Sequence, residues 1–296
     1  MNLPPNYAGI DIGSNGIRLL IANVVGNENY TDVKEKLFVR MPLRLGEDVF
    51  ATGRIGDRKI SELTYAVTGF MNIMKAYHVV DYKACATSAM REAENGKEIA
   101  ETIHRKSGID IHIINGQQEA DIIYSAGVAS NICNSPQHIY VDVGGGSTEI
   151  TVFYEHKKVD SQSFKLGTVR MLSQHENAGI FSDLKDWLNR ITDIYRPKAI
   201  IGTGGNINKA QKLINKRIKE PLLYNELKKM YNKINDQSLE ERIAKMRLKE
   251  DRADVIVPAL QIFLTVMNIT GIDNVFVPRV GLADGIVRKL YSEKFM

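Results

Sequence analysis

The chain has 296 residues, of which 44% are hydrophobic and 25% charged, the composition of a globular protein with room for two domains. A net charge of +4 is too small to imply nucleic acid by itself, and no apolar run approaches the roughly 18 residues expected of a membrane span. Six scattered His without paired spacing argue against a His-based zinc site, and Cys85 and Cys133, the only two Cys, read as separate buried thiols rather than a disulfide or metal site.

Tyr7 to Ile12 reads as a strand that delivers Asp11 into a loop of small residues, Gly13-Ser14-Asn15. Ile17 to Ile21 is its hairpin partner. Arg18 stands alone in that run, either as an outward residue or as a cation turned back on an anion. Val33 to Val39 gives a third strand. Arg40 to Ile55 reads as a polar connection, with Arg40, Arg44 and Arg54 either lining a cleft or, the stronger reading, in a solvated loop. Asp57 is the expected cap of a helix whose Ile60, Leu63, Val67, Phe70, Met71 and Met74 recur at helical spacing. A short strand over Asp81 to Thr87 leads to Arg91 among small residues. A helix from Gly96 to Lys106 stops at Gly108, and Ile109 to Ile114 alternates as another strand. Gly116 opens a helix with Glu119 in its first turn, where a carboxylate suits the helix dipole alone.

Asn131 to Gln137 is the most turn-rich break, and the expected domains are 1–127 and 128–296. The second begins with Ile139 to Ile150, Ile-Tyr-Val-Asp-Val-Gly-Gly-Gly-Ser-Thr-Glu-Ile. Here β-branched residues alternate, Asp142 lies inside the apolar run, and Gly144, Gly145, Gly146, Ser147 and Thr148 follow. A buried charge is costly unless it is paired or binds metal. Ser182 is the expected cap of a helix carrying Leu184, Leu188, Ile191 and Tyr195, stopped by Pro197. Ala199 to Asn206 is a further strand entering a loop with Gly204, Gly205 and Asn206. Between Asn206 and Arg252, 13 Lys and Arg oppose 7 Asp and Glu, a balance of +6 (13 − 7). This is either the solvated face of helices or a field that draws in a polyanion. A long apolar helix runs from Asp251 to Met267, Asn274 to Pro278 is a last strand, and a terminal helix from Gly281 is expected to cross back to the first lobe.

A strand, an Asp and a glycine loop with hydroxyls form a cradle for phosphate and a divalent cation. The device occurs at Asp11 and at Asp142, with a third loop lacking the Asp. None fits a P-loop, and none fits a dinucleotide-binding fingerprint. Two such loops in separate halves suggest two related lobes closing on one phosphate chain.

Asp11-Ile-Gly-Ser-Asn15, Ala86-Thr-Ser-Ala-Met-Arg-Glu-Ala93, Gly116-Gln-Gln-Glu-Ala120, Asp142-Val-Gly-Gly-Gly-Ser-Thr-Glu149 and Gly202-Thr-Gly-Gly205 together resemble the exopolyphosphatase / guanosine pentaphosphate phosphohydrolase family, in order and approximate spacing. The resemblance covers essentially the whole chain. It implies an α/β fold of two actin-like (ribonuclease H-like) lobes, each a mixed five-stranded sheet flanked by helices, with the active site in the cleft between them. It implies hydrolysis of terminal phosphate from polyphosphate or guanosine pentaphosphate. Glu119 would be the base and Arg91 a bidentate phosphate ligand. Gly13, Ser14, Asn15, Arg18, Gly144 to Thr148, Gly204, Gly205 and Asn206 would bind phosphate. Asp142 and Asp11 would hold Mg²⁺ (or Mn²⁺), with Glu149 behind them.

Three positions depart from the usual pattern: Gly16 for a Ser, Gln118 for a Glu and Asn206 for a Thr. The chain also lacks the C-terminal helical region of long members, which points to short polyphosphates or a nucleotide. A cytoplasmic homodimer is expected, with neither nucleic acid nor membrane as partner, since Met-Asn-Leu-Pro-Pro-Asn is no signal peptide. The competing readings are a sugar- or acetate-kinase-like phosphotransferase, a nucleotide-binding sensor without turnover, and an actin-like filament former.

Overall fold

The computed structural model describes residues 4–27, 30–125, 135–173 and 178–295. Two compact units emerge: Met1–Ala126 with Val280–Met296, and Gly127–Arg279. Cys133 and most of the turn-rich Asn131 to Gln137 segment lie outside the described residues.

In the first unit β1 (Asn6–Ile12), β2 (Ile17–Asn27) and β3 (Tyr30–Met41) form an antiparallel meander. Two crossovers add parallel strands, β4 (Val79–Ala86) beside β1 and β5 (Ile111–Ile113) beside β4, giving the order β3-β2-β1-β4-β5. Strand β1 is central, and Tyr7 to Ile12 are all buried, which is why apolar residues run on without alternation there. The first crossover carries α1 (Leu45–Thr52) and α2 (Asp57–Ala76), and the second α3 (Ser88–Glu92) and α4 (Gly96–Ser107). After β5 comes α5 (Gly116–Tyr124).

Helix α1 falls where a polar loop is expected. Its eight residues carry only Leu45, Val49 and Phe50 as a buried apolar stripe, and Arg44 precedes it in a left-handed conformation without a side-chain cap. Gly56, not Asp57, is the N-cap of α2. Gly108 ends α4 in the left-handed region, as its position suggests.

The second unit repeats the pattern: β6 (His138–Val143), β7 (Thr148–Tyr154) and β8 (Lys157–Phe164) as a meander, with β9 (Ala199–Thr203) and β11 (Asn274–Phe276) added in parallel. The resulting sheet, β10-β11-β9-β6-β7-β8, has six strands where five are expected. The extra one, β10 (Leu222–Leu223), is too short to carry an alternating pattern and pairs antiparallel with β11. The helices are α6 (Thr168–Ser173), α7 (Ala178–Tyr195), α8 (Gly205–Ile214), α9 (Tyr224–Asn235), α10 (Leu239–Ala244), α11 (Glu250–Ala253) and α12 (Ile256–Thr270). Ser182 lies inside α7 rather than at its cap. The stretch Glu250–Thr270 has a membrane span's length and a mean hydropathy of 1.6, yet 67% of its apolar window is buried within the protein. Its longer part, α12, is the core helix, clustered with Leu188, Ile191, Ile200 and Val275.

The terminal helix α13 (Leu282–Phe295) belongs to the first unit and packs on β1 and α5. Two glycines permit this. A Cβ on Gly9 would lie 2.5 Å from the Ala283 carbonyl oxygen, and one on Gly285 only 2.0 Å from that of Ile122.

Candidate active site

In the first unit β1 and β2 are joined by a four-residue loop, Gly13 to Gly16. The Gly13 N–H donates to the Gly16 carbonyl at 3.2 Å. This register sets Asp11 directly opposite Arg18, and their side chains form a close ion pair with Asp11 buried. The sequence alone leaves open which way Arg18 points; it is turned onto Asp11. Gly16 has a steric reason: a Cβ there would meet the Met41 carbonyl at 2.8 Å.

The loop is held from behind. Ser14 O accepts from Gly46 N–H at 2.9 Å and Asn15 O from Arg44 N–H at 3.4 Å, so α1 backs it. Buried Lys59 fixes α1 in turn, reaching Arg44 O at 2.7 Å, Glu47 at 3.1 Å and Asp48 at 2.7 Å. The Ser14 and Ser88 hydroxyls are 2.8 Å apart, which ties the loop to the start of α3. Three residues on, Arg91 donates through Nη1 to the Ile114 carbonyl at 2.7 Å and stands 4.0 Å from a Glu119 carboxylate oxygen.

Glu119 is buried on α5, but it does not cap that helix. Asn115 is the N-cap: its Oδ1 accepts from Gln118 N–H at 2.8 Å, and Gln118 Oε1 accepts from Asn115 N–H at 3.0 Å. The capping box belongs to Asn115 and Gln118.

The second unit builds the same loop from Gly144 to Ser147, closed by Gly144 N–H to Ser147 O at 3.0 Å. Asp142 now stands opposite Glu149. Both are buried, and oxygen atoms of the two carboxylates lie within 4.8 Å of each other. Asp142 accepts from the Thr203 hydroxyl at 2.5 Å and Glu149 from the Ser163 hydroxyl at 2.9 Å. Like charges directly opposite on neighbouring strands are unfavourable, so this pair has the chemistry of a cation site.

The loop carbonyls are taken up by α6. Thr168 N–H donates to Gly144 O at 3.0 Å, Val169 N–H to Gly145 O at 2.8 Å, and buried Arg170 Nε to Gly146 O at 2.7 Å. With the carbonyls turned back and the Gly144 N–H spent on Ser147 O, the Gly145 and Gly146 N–H groups are the donors of the loop's other side. Gly167 is required for this packing, since a Cβ would lie 2.3 Å from the Gly146 carbonyl carbon. Thr148 differs from its expected use. Its hydroxyl is fully buried and donates to Leu166 O at 2.5 Å, so it fastens the loop rather than offering that group to phosphate.

The third loop turns at Gly204, whose φ of 113° and close approach to Val143 O, 2.6 Å from a would-be Cβ, demand glycine. Gly205 opens α8 under the Arg252 guanidinium, which donates to the Gly205 carbonyl. Asn206 uses its side-chain amide on Val255 O at 3.3 Å, tying α8 to the start of α12. Ser88, Thr203 and Arg170 are thus parts of the two sites to which sequence patterns gave no role. Each lies within or beside a glycine or small-residue motif, which was the available signal.

A sequence model of the Ppx/GppA phosphatase family matches residues 37–293. The chain is 26% identical, over 98% of its length, to a guanosine-5'-triphosphate,3'-diphosphate pyrophosphatase of Vibrio atlanticus, and spans 60% of that relative's length. It is 23% identical, over 96% of its length, to exopolyphosphatase 1 of Mycobacterium tuberculosis, of which it spans 88%. Among solved structures, an exopolyphosphatase from Cytophaga hutchinsonii shares the fold, with a TM-score of 0.86 at 20% identity, covering 97% of this chain and 98% of that one. A Ppx/GppA family member from Aquifex aeolicus gives a TM-score of 0.78 at 26% identity, with 99% of each chain covered.

Proposed function

The chain belongs to the Ppx/GppA phosphatase family, and we propose that it hydrolyses terminal phosphoanhydride bonds, releasing orthophosphate from inorganic polyphosphate, from guanosine pentaphosphate, or from both. The observation that carries this is the duplicated hairpin: strand, buried Asp, four-residue glycine loop, strand, once in each unit. Loops of this kind offer N–H groups to phosphate oxygens.

Hydrolysis by in-line attack needs an oriented water, a base and neutralised oxygens. Glu119 is the base. Arg91 spends Nη1 on the Ile114 carbonyl, which fixes the guanidinium and leaves Nη2 for a phosphate oxygen. The backbone N–H groups of Ser14, Asn15 and Gly145 to Ser147, with the Ser14 and Ser147 hydroxyls, bind further oxygens, while Gly13 and Gly144, expected among the phosphate ligands, spend their N–H groups closing the loops. Gly204 and Gly205 contribute through backbone and helix N-terminus. The Asp142 and Glu149 carboxylates fit a hard divalent cation, Mg²⁺ or Mn²⁺, because they are buried, oxygen-only and mutually repulsive. When bound, the ion supplies charge neutralisation at the phosphate. Asp11 already faces a cation in Arg18; it orients that arginine and acts on metal at most through water.

The test is orthophosphate release from tripolyphosphate, long-chain polyphosphate, guanosine pentaphosphate and ATP, with Mg²⁺ or EDTA, run beside Glu119→Gln. The expected result is metal-dependent release that the variant lowers by about 10²–10⁴-fold. No release by folded protein from any substrate overturns the reading. ATP-dependent phosphorylation of a small acceptor would replace it with a phosphotransferase. Tight binding of guanosine pentaphosphate without release would replace it with a sensor.

A further inference from the structure

Strand register lines up four residues of the second unit in one row. Ser163 on β8 lies opposite Glu149 on β7, Glu149 opposite Asp142 on β6, and Asp142 beside Thr203 on β9. Register partners on neighbouring strands share a face of the sheet, so that face reads hydroxyl, carboxylate, carboxylate, hydroxyl. The same row of the first unit is Arg40, Arg18, Asp11 and Cys85. It keeps one carboxylate and has neither hydroxyl, so the flanking hydroxyls accompany the carboxylate pair.

Each hydroxyl is bonded to the carboxylate beside it, Thr203 to Asp142 Oδ1 at 2.5 Å and Ser163 to Glu149 Oε1 at 2.9 Å. An ionised carboxylate only accepts, so both hydroxyls donate and each spends its single proton. The bonds come from the two flanking strands and draw one oxygen of each carboxylate outward, toward β9 and toward β8. Neither carboxylate can turn both oxygens to one ion without breaking its bond. For Asp142 that would leave the donor of the fully buried Thr203 without its acceptor, which is costly. The row thus favours a single oxygen from each carboxylate.

The number of oxygens a carboxylate offers separates divalent cations. Mg²⁺ is small, octahedral and reluctant to lose its waters, and is held by one or two carboxylates; Ca²⁺ gathers roughly six to eight oxygens and accepts bidentate carboxylates. We propose that Thr203, with Ser163 in a smaller part, is a positioning residue that fixes Asp142 and Glu149 as single-oxygen ligands and so sets the preference of the site for Mg²⁺ over Ca²⁺. Ser163 has the smaller part because it is exposed, where water can take over its bond. Groups that orient carboxylate ligands in this way are worth about 10–100-fold in metal affinity. The inference rests on the reading of Asp142 and Glu149 as a cation site, and adds to it which ion the site prefers and which residues decide that.

The test is a series of thermal melts of EDTA-treated protein, dialysed and then taken through rising MgCl₂ or CaCl₂ without substrate. The rise of the midpoint with concentration gives a dissociation constant for each ion. The parent should respond to Mg²⁺, and Asp142→Asn should not, which locates the ion. Thr203→Val keeps the shape of threonine and removes the hydroxyl. It should weaken Mg²⁺ binding by about 10–100-fold and Ca²⁺ binding by less, so that the ratio of the two constants moves toward Ca²⁺. Thr203→Ser should restore the parent ratio, and Ser163→Ala, at an exposed position the fold does not need, should move it a smaller distance in the same direction. Equal weakening of both ions by Thr203→Val would reduce the hydroxyl to a structural role and overturn the proposal, as would an unchanged Mg²⁺ constant. If Thr203→Val does not fold, an unchanged ratio in Ser163→Ala overturns it. A parent without any cation response, or an undiminished response in Asp142→Asn, overturns the cation site itself; a response lost in Asp142→Asn with a ratio indifferent to both hydroxyls overturns this inference alone.

Discussion

Asp142 lies opposite Glu149 on β6 and β7, at the register that Asp11 and Arg18 occupy on β1 and β2. One hairpin carries its own cation; the other holds two buried carboxylates. If a divalent cation satisfies the second pair, Asp142→Asn should leave the metal-free protein as stable as the parent or more so, because it removes a like-charge contact. The same variant should lose the stabilisation by Mg²⁺, which at about 100 times the dissociation constant is worth about 2.7 kcal/mol. Thermal melts in EDTA and in Mg²⁺ measure both effects. An undiminished Mg²⁺ response in the variant would place the cation elsewhere.

The cap of α5 is the support of the proposed base. Asn115→Ala removes the acceptor of Gln118 N–H, and loss of such a cap costs about 1 kcal/mol. The urea midpoint should fall accordingly, and kcat should fall with it, since Glu119 is the next residue after the capping pair. Gln118→Glu should leave the midpoint nearly unchanged, because Glu also completes a capping box. Equal loss of stability in both variants would mean that the box does not hold the helix.

What was legible in the chain follows from pattern length. Strands β1, β6 and β9 carry buried runs of β-branched residues, and each delivers a glycine loop, so the strands and loops could be read together. Helix α1 is too short for a periodic signal and starts from a left-handed Arg44. Strand β10 has two residues. The turning of Arg18 onto Asp11 depends on a register fixed by a four-residue loop, which residue type alone does not reveal. The burial of Thr148 beneath Leu166 depends on β8 and α6, both distant in sequence from the glycines.

His138 gives the second unit a pH dependence. Its ring is buried and stacked on Phe153 with centroids 4.9 Å apart, Nδ1–H donates to Ser135 O at 3.0 Å, and Nε2 has no hydrogen-bond partner among the described residues. Burial holds its pKa below the ordinary 6.5, with His156 adding to the effect and the Ser135 bond opposing it. The folded state therefore binds fewer protons than the unfolded state once pH drops to about 6.5 and below. Stability is lost as pH falls through the unfolded value, and the loss is complete below the folded one; above the unfolded value the group contributes no slope. Urea midpoints from pH 8 to pH 5 should fall for the parent and fall less for His138→Phe, which keeps the stack and cannot be protonated. Parallel curves for the two proteins would remove His138 as the cause.

The docking of α13 on α5 can be tested at a single atom. A Cβ on Gly285 would lie 2.0 Å from the Ile122 carbonyl oxygen and 2.7 Å from its carbon. Both obstacles are backbone, so no rotamer change relieves them and the helices must separate. Gly285→Ala should cost about 1–3 kcal/mol or more, as overpacked cores do. Gly69 sits inside α2 with nothing within 4 Å of a would-be Cβ. The same substitution there should gain about 0.5–1 kcal/mol, because glycine is a poor helix former. The two variants add the same methyl group with opposite expected signs, so urea denaturation of the pair separates close packing from composition. A Gly285→Ala protein as stable as the parent would mean that α13 does not rest on α5 in solution.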